Sequence, residues 1–425
     1  MSVSNIIKKR TAVMLLCGLS LASCANDPDF YDTAAISTYS SELPASGKEP
    51  IGTASDTKFI DAVTNFSETL FRGCAKQGEN LVLSPLSVIY ALTLTANGAS
   101  GDTLSEFNTL NSGIDVVQMN EYLYSLTERL EKTADSTVDI ANSVWADNSG
   151  FSLNKEFAVV AQKYYDAQVA SVSFADRSTV NTINDWVSDN TDGMIDKAVD
   201  EIPAETVMLL INTVLFDGAW EKEYEDFDIY NENFTGYGGT VTDTEFLHST
   251  ENAYFKVKNG SGFSKAYKDG YQFVAILPNE GGDIYDFVST LDISDAIDAS
   301  VHGSEKVICA IPKFEYDTQA DLKRILMDMG LTRAFSSEEA ELSGLGQTGE
   351  NSLYLSSVLQ KAKITLNEHG TRAAAVTEIM VGTTAWHEPN IITLNRPFFY
   401  MILDGRTEIP LFMGVLAEME NGFSK

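Results

Sequence analysis

The chain has 425 residues, and 61 Asp and Glu against 29 Lys and Arg give a formal net charge of -32 at pH 7. A surface this acidic repels phosphate backbones and excludes nucleic acid as a partner. With 44% hydrophobic residues, 10% aromatic residues and only 10 prolines, the composition also excludes disorder along most of the chain.

Lys8, Lys9 and Arg10 precede an uncharged, mostly apolar run from Thr11 to Ala22. This is the pattern of a secretory signal, and the run falls short of the about 20 residues that a spanning helix needs. The segment ends Leu21-Ala22-Ser23-Cys24, which resembles the lipobox of bacterial lipoproteins. The resemblance implies cleavage after residue 23 and lipidation of Cys24. Removing residues 1–23 takes away three cations and no carboxylate, so the mature charge falls from -32 to -35. Ala25 after the cysteine favours the outer membrane, with the chain on its periplasmic face or at the cell surface. Residues 24–56 are polar and carry Pro28, Pro44 and Pro50, so they read as a flexible tether of about 30 Å reach.

From residue 57 onward helices and strands are interleaved without a linker. Length alone suggests about two to three domains, but this continuity predicts one large α+β domain over 57–425. Ser84-Pro85 starts a helix whose Leu86–Leu92 stretch is too uniformly apolar for a surface position, which predicts a buried central helix. Thr318-Gln319-Ala320-Asp321 reads as a capping box opening a helix with Leu322, Ile325, Leu326 and Met329 on one face and Gly330 as its stop. Leu353 to Val358 reads as a strand. Phe398–Leu403 and Leu411–Val415, flanking Asp404-Gly405, predict a buried hairpin.

Chemistry-bearing motifs are few. His248, His302, His369 and His387 have no metal-ligand spacing, and no nucleophile elbow occurs. Gly344 to Gly349 fits G-x-G-x-x-G, but its charged upstream flank and downstream strand predict a loop rather than a dinucleotide site. Cys74 and Cys309 read as buried free thiols. No cofactor or metal is implied.

The segments that follow carry a family resemblance. Asn80–Ser87 with Asn97-Gly98-Ala99, Ile183–Ile195, Ile211–Trp220, Ile311–Phe314, Asn367–Ala375, Asn395–Phe398 and Leu411–Gly414 resemble the serpin family, in order and at family spacing over residues 57–417. The resemblance implies a fold of three β-sheets and about nine helices with an exposed reactive-centre loop, acting as a protease inhibitor and not an enzyme. A serine protease, or secondarily a cysteine protease, attacks the loop. The cleaved loop then inserts into the central sheet and traps the acyl-enzyme. The competing reading is a non-inhibitory serpin-fold binding lipoprotein at the cell surface.

By family position the hinge comprises Glu368, Gly370, Thr371, Ala373, Ala374, Ala375 and Thr377. An inserting strand needs one small, uncharged face. Thr371, Ala373, Ala375, Thr377 and Ile379 supply it, while Arg372 and Glu378 fall on the other parity. Insertion of roughly 15 residues adds about 10–20 kcal/mol of net hydrogen bonding. Family spacing places the scissile bond between Thr384 and Ala385, which suits elastase-like or subtilisin-like enzymes. Trp386 would invite a chymotrypsin-like enzyme if the register shifts by two. No Lys or Arg lies between Arg372 and Arg396, which excludes trypsin-like targets.

The resemblance also assigns Ser84, Ser87, Asn212 and Gln360 to the shutter, the polar cluster beneath the opening sheet, and Trp220 and Lys313 to the breach, where insertion begins. Lys313 and Glu368 match a family ion pair. Gln360 stands where the family usually has a histidine, so the shutter can donate and accept hydrogen bonds but cannot titrate there. The segment from Ser100 to Glu128 holds no Lys or Arg, which removes heparin as an activator. A monomer is expected.

Overall fold

Asp56 accepts a hydrogen bond from the Phe59 N–H and starts the first helix, α1 (Thr57–Cys74), whose apolar face is buried. The computed structural model describes residues 37–38, 49–131, 133–349, 353–371 and 390–419, within a compact unit that runs from Ala34 to Lys425. Cys24 and residues 372–389, which hold Ala373, Ala374, Ala375, Thr377, Thr384 and Ala385, lie outside the described residues.

The described residues form nine α-helices, of which α2 (Pro85–Ala96), α3 (Gly101–Leu110), α4 (Val116–Leu130), α5 (Lys155–Tyr165) and α6 (Arg177–Asn190) follow α1. The series ends with α7 (Ile284–Thr290), α8 (Ile293–His302) and α9 (Lys323–Asp328). The early strands are β1 (Ser37–Thr38), β2 (Leu81–Leu83), β3 (Ser136–Asp147), β4 (Phe151–Leu153), β5 (Gln168–Val172) and β6 (Met208–Ala219). Next come β7 (Ile229–Thr235), β8 (Val241–Val257), β9 (Gly260–Ala266), β10 (Gln272–Pro278), β11 (Glu305–Pro312) and β12 (Phe314–Asp321). The last six are β13 (Gly346–Thr348), β14 (Leu359–Leu366), β15 (Gly370–Thr371), β16 (Asn390–Thr393), β17 (Phe398–Leu403) and β18 (Pro410–Leu416).

The central sheet is divided. One part has the order β1-β5-β3-β6-β15, and the other is the antiparallel pair β12-β14, with no hydrogen-bonded pairing between β6 and β14. The remaining large sheet runs β16-β11-β8-β9-β10-β17-β18-β2, with β7 paired to β8. Long β8 joins what would otherwise be two sheets, because its residues 241–247 pair with β7, residues 246–254 with β11 and residues 254–257 with β9.

The predicted central helix is α2, capped by Ser84 and buried at every position except Ala91. The hairpin is β17-β18, entirely buried, with its turn fixed by a bidentate Arg129–Asp404 pair at 3.0 and 2.6 Å.

Three local readings are corrected. Residues 314–321 are strand, and the helix begins only at Lys323, because the Thr318 hydroxyl bonds the Val82 backbone instead of capping. Leu353–Val358 is not strand; the strand starts at Leu359. Within the glycine-rich segment, Gly346–Thr348 forms β13 against β4, and a Cβ on Gly346 would lie 2.4 Å from the Phe151 ring. That contact accounts for the glycine without a phosphate.

The segment expected as tether gains order before residue 57. The Ile51 and Gly52 N–H groups donate to the Glu121 carboxylate at 2.9 and 2.7 Å, and Thr53 N–H donates to Glu121 O. Ser37 and Thr38 pair with Ser171 and Ala170 at the sheet edge.

Candidate functional site

At the top of the gap, β14 turns back on itself through Glu368-His369. Asn367 N–H donates to Gly370 O at 2.9 Å, and Gly370 N–H donates to Asn367 O at 3.2 Å. The returning chain is β15, with Gly370 opposite Ala219 and Thr371 opposite Gly218 on β6. Gly370 has φ +149°, and a Cβ there would lie 2.1 Å from Gly218 O, so only glycine permits this approach. Thr371 is buried, and its hydroxyl lies 2.6 Å from the Tyr267 hydroxyl.

Trp220 fastens the turn. Its N–H donates to His369 O and its Nε1–H to Asn367 O, both at 3.0 Å, while Tyr224 N–H donates to Glu368 O. The indole is fully buried and stacks on Tyr267 with ring centroids 4.2 Å apart. Lys313 Nζ bridges Glu368 at 2.8 Å and Glu245 at 2.9 Å. Burial acts to raise the Glu368 carboxyl, but the hydrogen bond and charge of Lys313 outweigh it and hold it below its ordinary value. For Lys313 burial acts to lower the ammonium, and hydrogen bonds to Glu368 and Glu245 raise it overall. His369 Nδ1 lies 3.2 Å from Glu223. The head of the gap is thus a tight turn held by an indole, two ion pairs and backbone hydrogen bonds.

Lower in the gap a cavity of about 500 Å³ separates Met208–Thr213 of β6 from Leu359–Lys361 of β14, with Ser87, Ala91 and Thr95 of α2 at its floor. The four residues that the resemblance assigns to the shutter lie at or beside this cavity. Ser84 Oγ accepts from Ser87 N–H at 3.3 Å. Ser87 Oγ donates to Asn212 Oδ1, and Asn212 Nδ2 donates to Asn142 Oδ1 at 2.8 Å. Across the gap Gln360 Nε2 donates to Ser84 O at 2.6 Å. In the middle of the gap each half of the sheet is therefore hydrogen-bonded to α2 or its cap, and among the described residues β6 and β14 do not pair. Gln360 Oε1 is buried with no hydrogen-bond partner among the described residues, a cost that a further donor entering the gap would remove.

The structure brings together Glu368, Gly370, Thr371, Trp220 and Lys313 at one end of the gap and Ser84, Ser87, Asn212 and Gln360 in its middle. Sequence reasoning missed Tyr267, Glu245, Glu223 and Asn142. Their only signal was a polar side chain in or beside a strand, and a sequence without the register does not reveal which of these the fold brings to the gap. Among the described residues no His, Cys, Asp or Glu cluster could hold a metal ion. Cys74 and Cys309 are buried free thiols, and burial pushes both up to about 12.

Comparison with known proteins agrees with this geometry. The family model for Serpin (serine protease inhibitor) matches residues 61–419. Iripin-8 of Ixodes ricinus is 31% identical, over 79% of this chain and 87% of its own. Human neuroserpin is 28% identical, over 83% of this chain and 90% of its own. The thermophilic serpin tengpin in its native state superposes with a TM-score of 0.84 at 36% identity, covering 90% of this chain and all of that one. Tengpin in its latent state gives 0.78 at 34% identity, covering 87% of this chain and all of that one. A divided central sheet, a short strand begun at its top and a family match across most of the described residues lead to one conclusion: the chain belongs to the serpin family, whose members are in general protease inhibitors and not enzymes.

Proposed function

We propose that the chain is a suicide-substrate inhibitor of extracytoplasmic serine proteases of elastase-like or subtilisin-like preference. The observation that carries this reading is the open gap between β6 and β14, with Gly370 and Thr371 already seated at its head. The protease serine oxygen attacks the Thr384 carbonyl carbon, the Thr384–Ala385 amide bond breaks, and the Ala385 nitrogen leaves protonated. An ester then joins the protease to Thr384. Lengthening of β15 down the gap carries the ester-linked enzyme away before water can hydrolyse it. The buried Thr371 side chain supports the assignment of odd-numbered residues to the core-facing side, where Ala373, Ala375 and Thr377 follow it.

The Cys24 lipobox supports a lipid anchor in the bacterial outer membrane, with the monomeric domain on the periplasmic face or at the cell surface. The absence of Lys and Arg between Ser100 and Glu128 argues against heparin.

The fold alone does not decide inhibition, since human thyroxine-binding globulin, solved with thyroxine, shares it at a TM-score of 0.77 and 24% identity, over 86% of this chain. The test is to mix the soluble domain with elastase-like, chymotrypsin-like and trypsin-like enzymes and run denaturing electrophoresis. A covalent complex with the first class, and an Ala385 N-terminus on the released fragment, are expected. Complete turnover by every enzyme, with no stable complex, refutes the inhibitor.

A further inference from the structure

Behind the Asn367–Gly370 turn lies a buried cation. Lys265 of β9 is 3% exposed. It stands where β8 parts from β9: residues 254–257 of β8 pair with β9, whereas residues 246–254 pair with β11. Lys265 Nζ reaches across that fork to Glu251 Oε1 at 3.0 Å. The same carboxylate oxygen accepts from Ser249 Oγ at 2.7 Å, so the anion is fixed from its own strand. Ser249 Oγ in turn lies 3.2 Å from the buried Cys309 thiol of β11.

The ammonium also faces two aromatic rings. Nζ lies 4.4 Å from the ring centroid of Tyr224 and 5.5 Å from that of Trp220, inside the about 6 Å within which a cation is attracted to a ring face. Tyr224, the closer ring, packs edge-on against the indole at 6.3 Å and so backs it. The indole in turn fastens the turn through its Nε1–H bond to Asn367 O. The neighbouring backbone joins the same ends, since Glu221 N–H donates to Ala266 O at 3.0 Å and Trp220 bridges Tyr267. An ion pair buried this far adds little net stability over an apolar pair of the same volume, because desolvation offsets the attraction. What it adds here is direction: an ammonium tied to a fixed carboxylate holds two ring faces in place in a way that an apolar chain of the same length does not.

We infer that Lys265 is a positioning residue: acting through Trp220, it holds the Asn367–Gly370 turn in the register from which the loop enters the gap. That turn sets Gly370 and Thr371 opposite Ala219 and Gly218. A turn that wanders delays the lengthening of β15 and gives water time to hydrolyse the ester. The consequence for inhibition rests on the inhibitory reading above, whereas the seating of the turn is a property of the intact chain and is read without a protease.

The test compares the intact soluble chain with Lys265→Met/Glu251→Gln, which removes both charges and leaves neither one buried alone. Hydrogen exchange followed by mass spectrometry reads the amides of residues 220–224 and 367–371. Exchange in both segments is expected to rise by about 10-fold, and the stoichiometry of inhibition of an elastase-class enzyme by about 3-fold or more, while the thermal midpoint of the intact chain stays at or above the wild-type value. The same pair is then removed in a Trp220→Phe background, where its effect on residues 367–371 is expected to shrink to about 2-fold or less. Unchanged exchange at residues 367–371 overturns the inference. So does an equal rise in both backgrounds, or a thermal midpoint that falls in step with the exchange, because the pair then acts as general packing and not through the indole. Faster exchange with unchanged stoichiometry, in a wild type that inhibits, overturns it as well. If wild type forms no covalent complex, the inhibitory reading fails and exchange alone decides the role of Lys265.

Discussion

The hydroxyls of Thr371 and Tyr267 lie 2.6 Å apart beneath the head of the central gap, where β15 has begun to form beside β6. Thr371 is 3% exposed and Tyr267 1%, so this position admits a small neutral side chain and penalises a charge. Thr371→Arg is expected to turn the chain from inhibitor to substrate: the loop is still cleaved, and the stoichiometry of inhibition rises by about 10-fold or more. Titration of an elastase-class enzyme checks it. Tyr267→Phe leaves the Thr371 hydroxyl buried without this partner and is expected to cost about 1–2 kcal/mol of native stability.

The Lys313–Glu368 contact gives a pH signature. The Glu368 carboxyl titrates below its ordinary 4.5, so its stabilisation is complete above that value and lost as pH falls through the folded value. Lys313 is shifted upward, so its share is complete below its ordinary 10.5 and lost as pH rises through the folded value. With side chains 14% and 26% exposed, the pair is screened only in part, and Glu368→Gln is expected to cost on the order of 1 kcal/mol near neutrality. The difference in thermal midpoint between wild type and Glu368→Gln should close as pH drops below 4.5. A difference that does not narrow at all as pH falls below 4.5 contradicts the ion pair's role.

The hinge register predicts where an inserted loop lands. Gly370 opposite Ala219 and Thr371 opposite Gly218, continued along β6, set Thr377 against Asn212. The Asn367–Gly370 bridge, continued along β14, sets the same residue against Gln360. Thr377 shares parity with the core-facing Thr371, so in the inserted state its hydroxyl meets the unpartnered Gln360 Oε1. Thr377→Val is expected to lower the stability of the cleaved form by about 1–2 kcal/mol and leave the intact form unchanged. Equal effects on both forms would refute this register.

Cys74 and Cys309 are expected to be unreactive in the native chain, since burial pushes both thiols up to about 12. A thiol-specific reagent at neutral pH should label neither until the protein unfolds. Rapid labelling of the native chain would contradict the packing around them.

Much of this architecture was legible in the sequence, for identifiable reasons. Ser84-Pro85 opens α2 because a hydroxyl cap and a proline at the first helical position act locally. The β17-β18 hairpin was legible because both runs are apolar throughout. The 314–321 segment was not, because Thr318 bonds Val82 far away in the chain while its local pattern imitates a cap. The ordering of residues 49–56 depends on Glu121, also distant in sequence, and a polar stretch gives no sign of such a partner. At the site, family motifs located Lys313 and Glu368. Tyr267, Glu245 and Asn142 emerge only once sheet register places them beside the hinge and shutter.

The central claim is that a cleaved loop completes the divided sheet. The measurement that tests it most directly is the thermal midpoint of the chain before and after nicking within residues 372–389 by a protease that is not trapped. Closing the gap with about 10–20 kcal/mol of added hydrogen bonding should raise the midpoint by about 20 °C or more. An unchanged or lower midpoint, with the loop demonstrably cut, would contradict insertion.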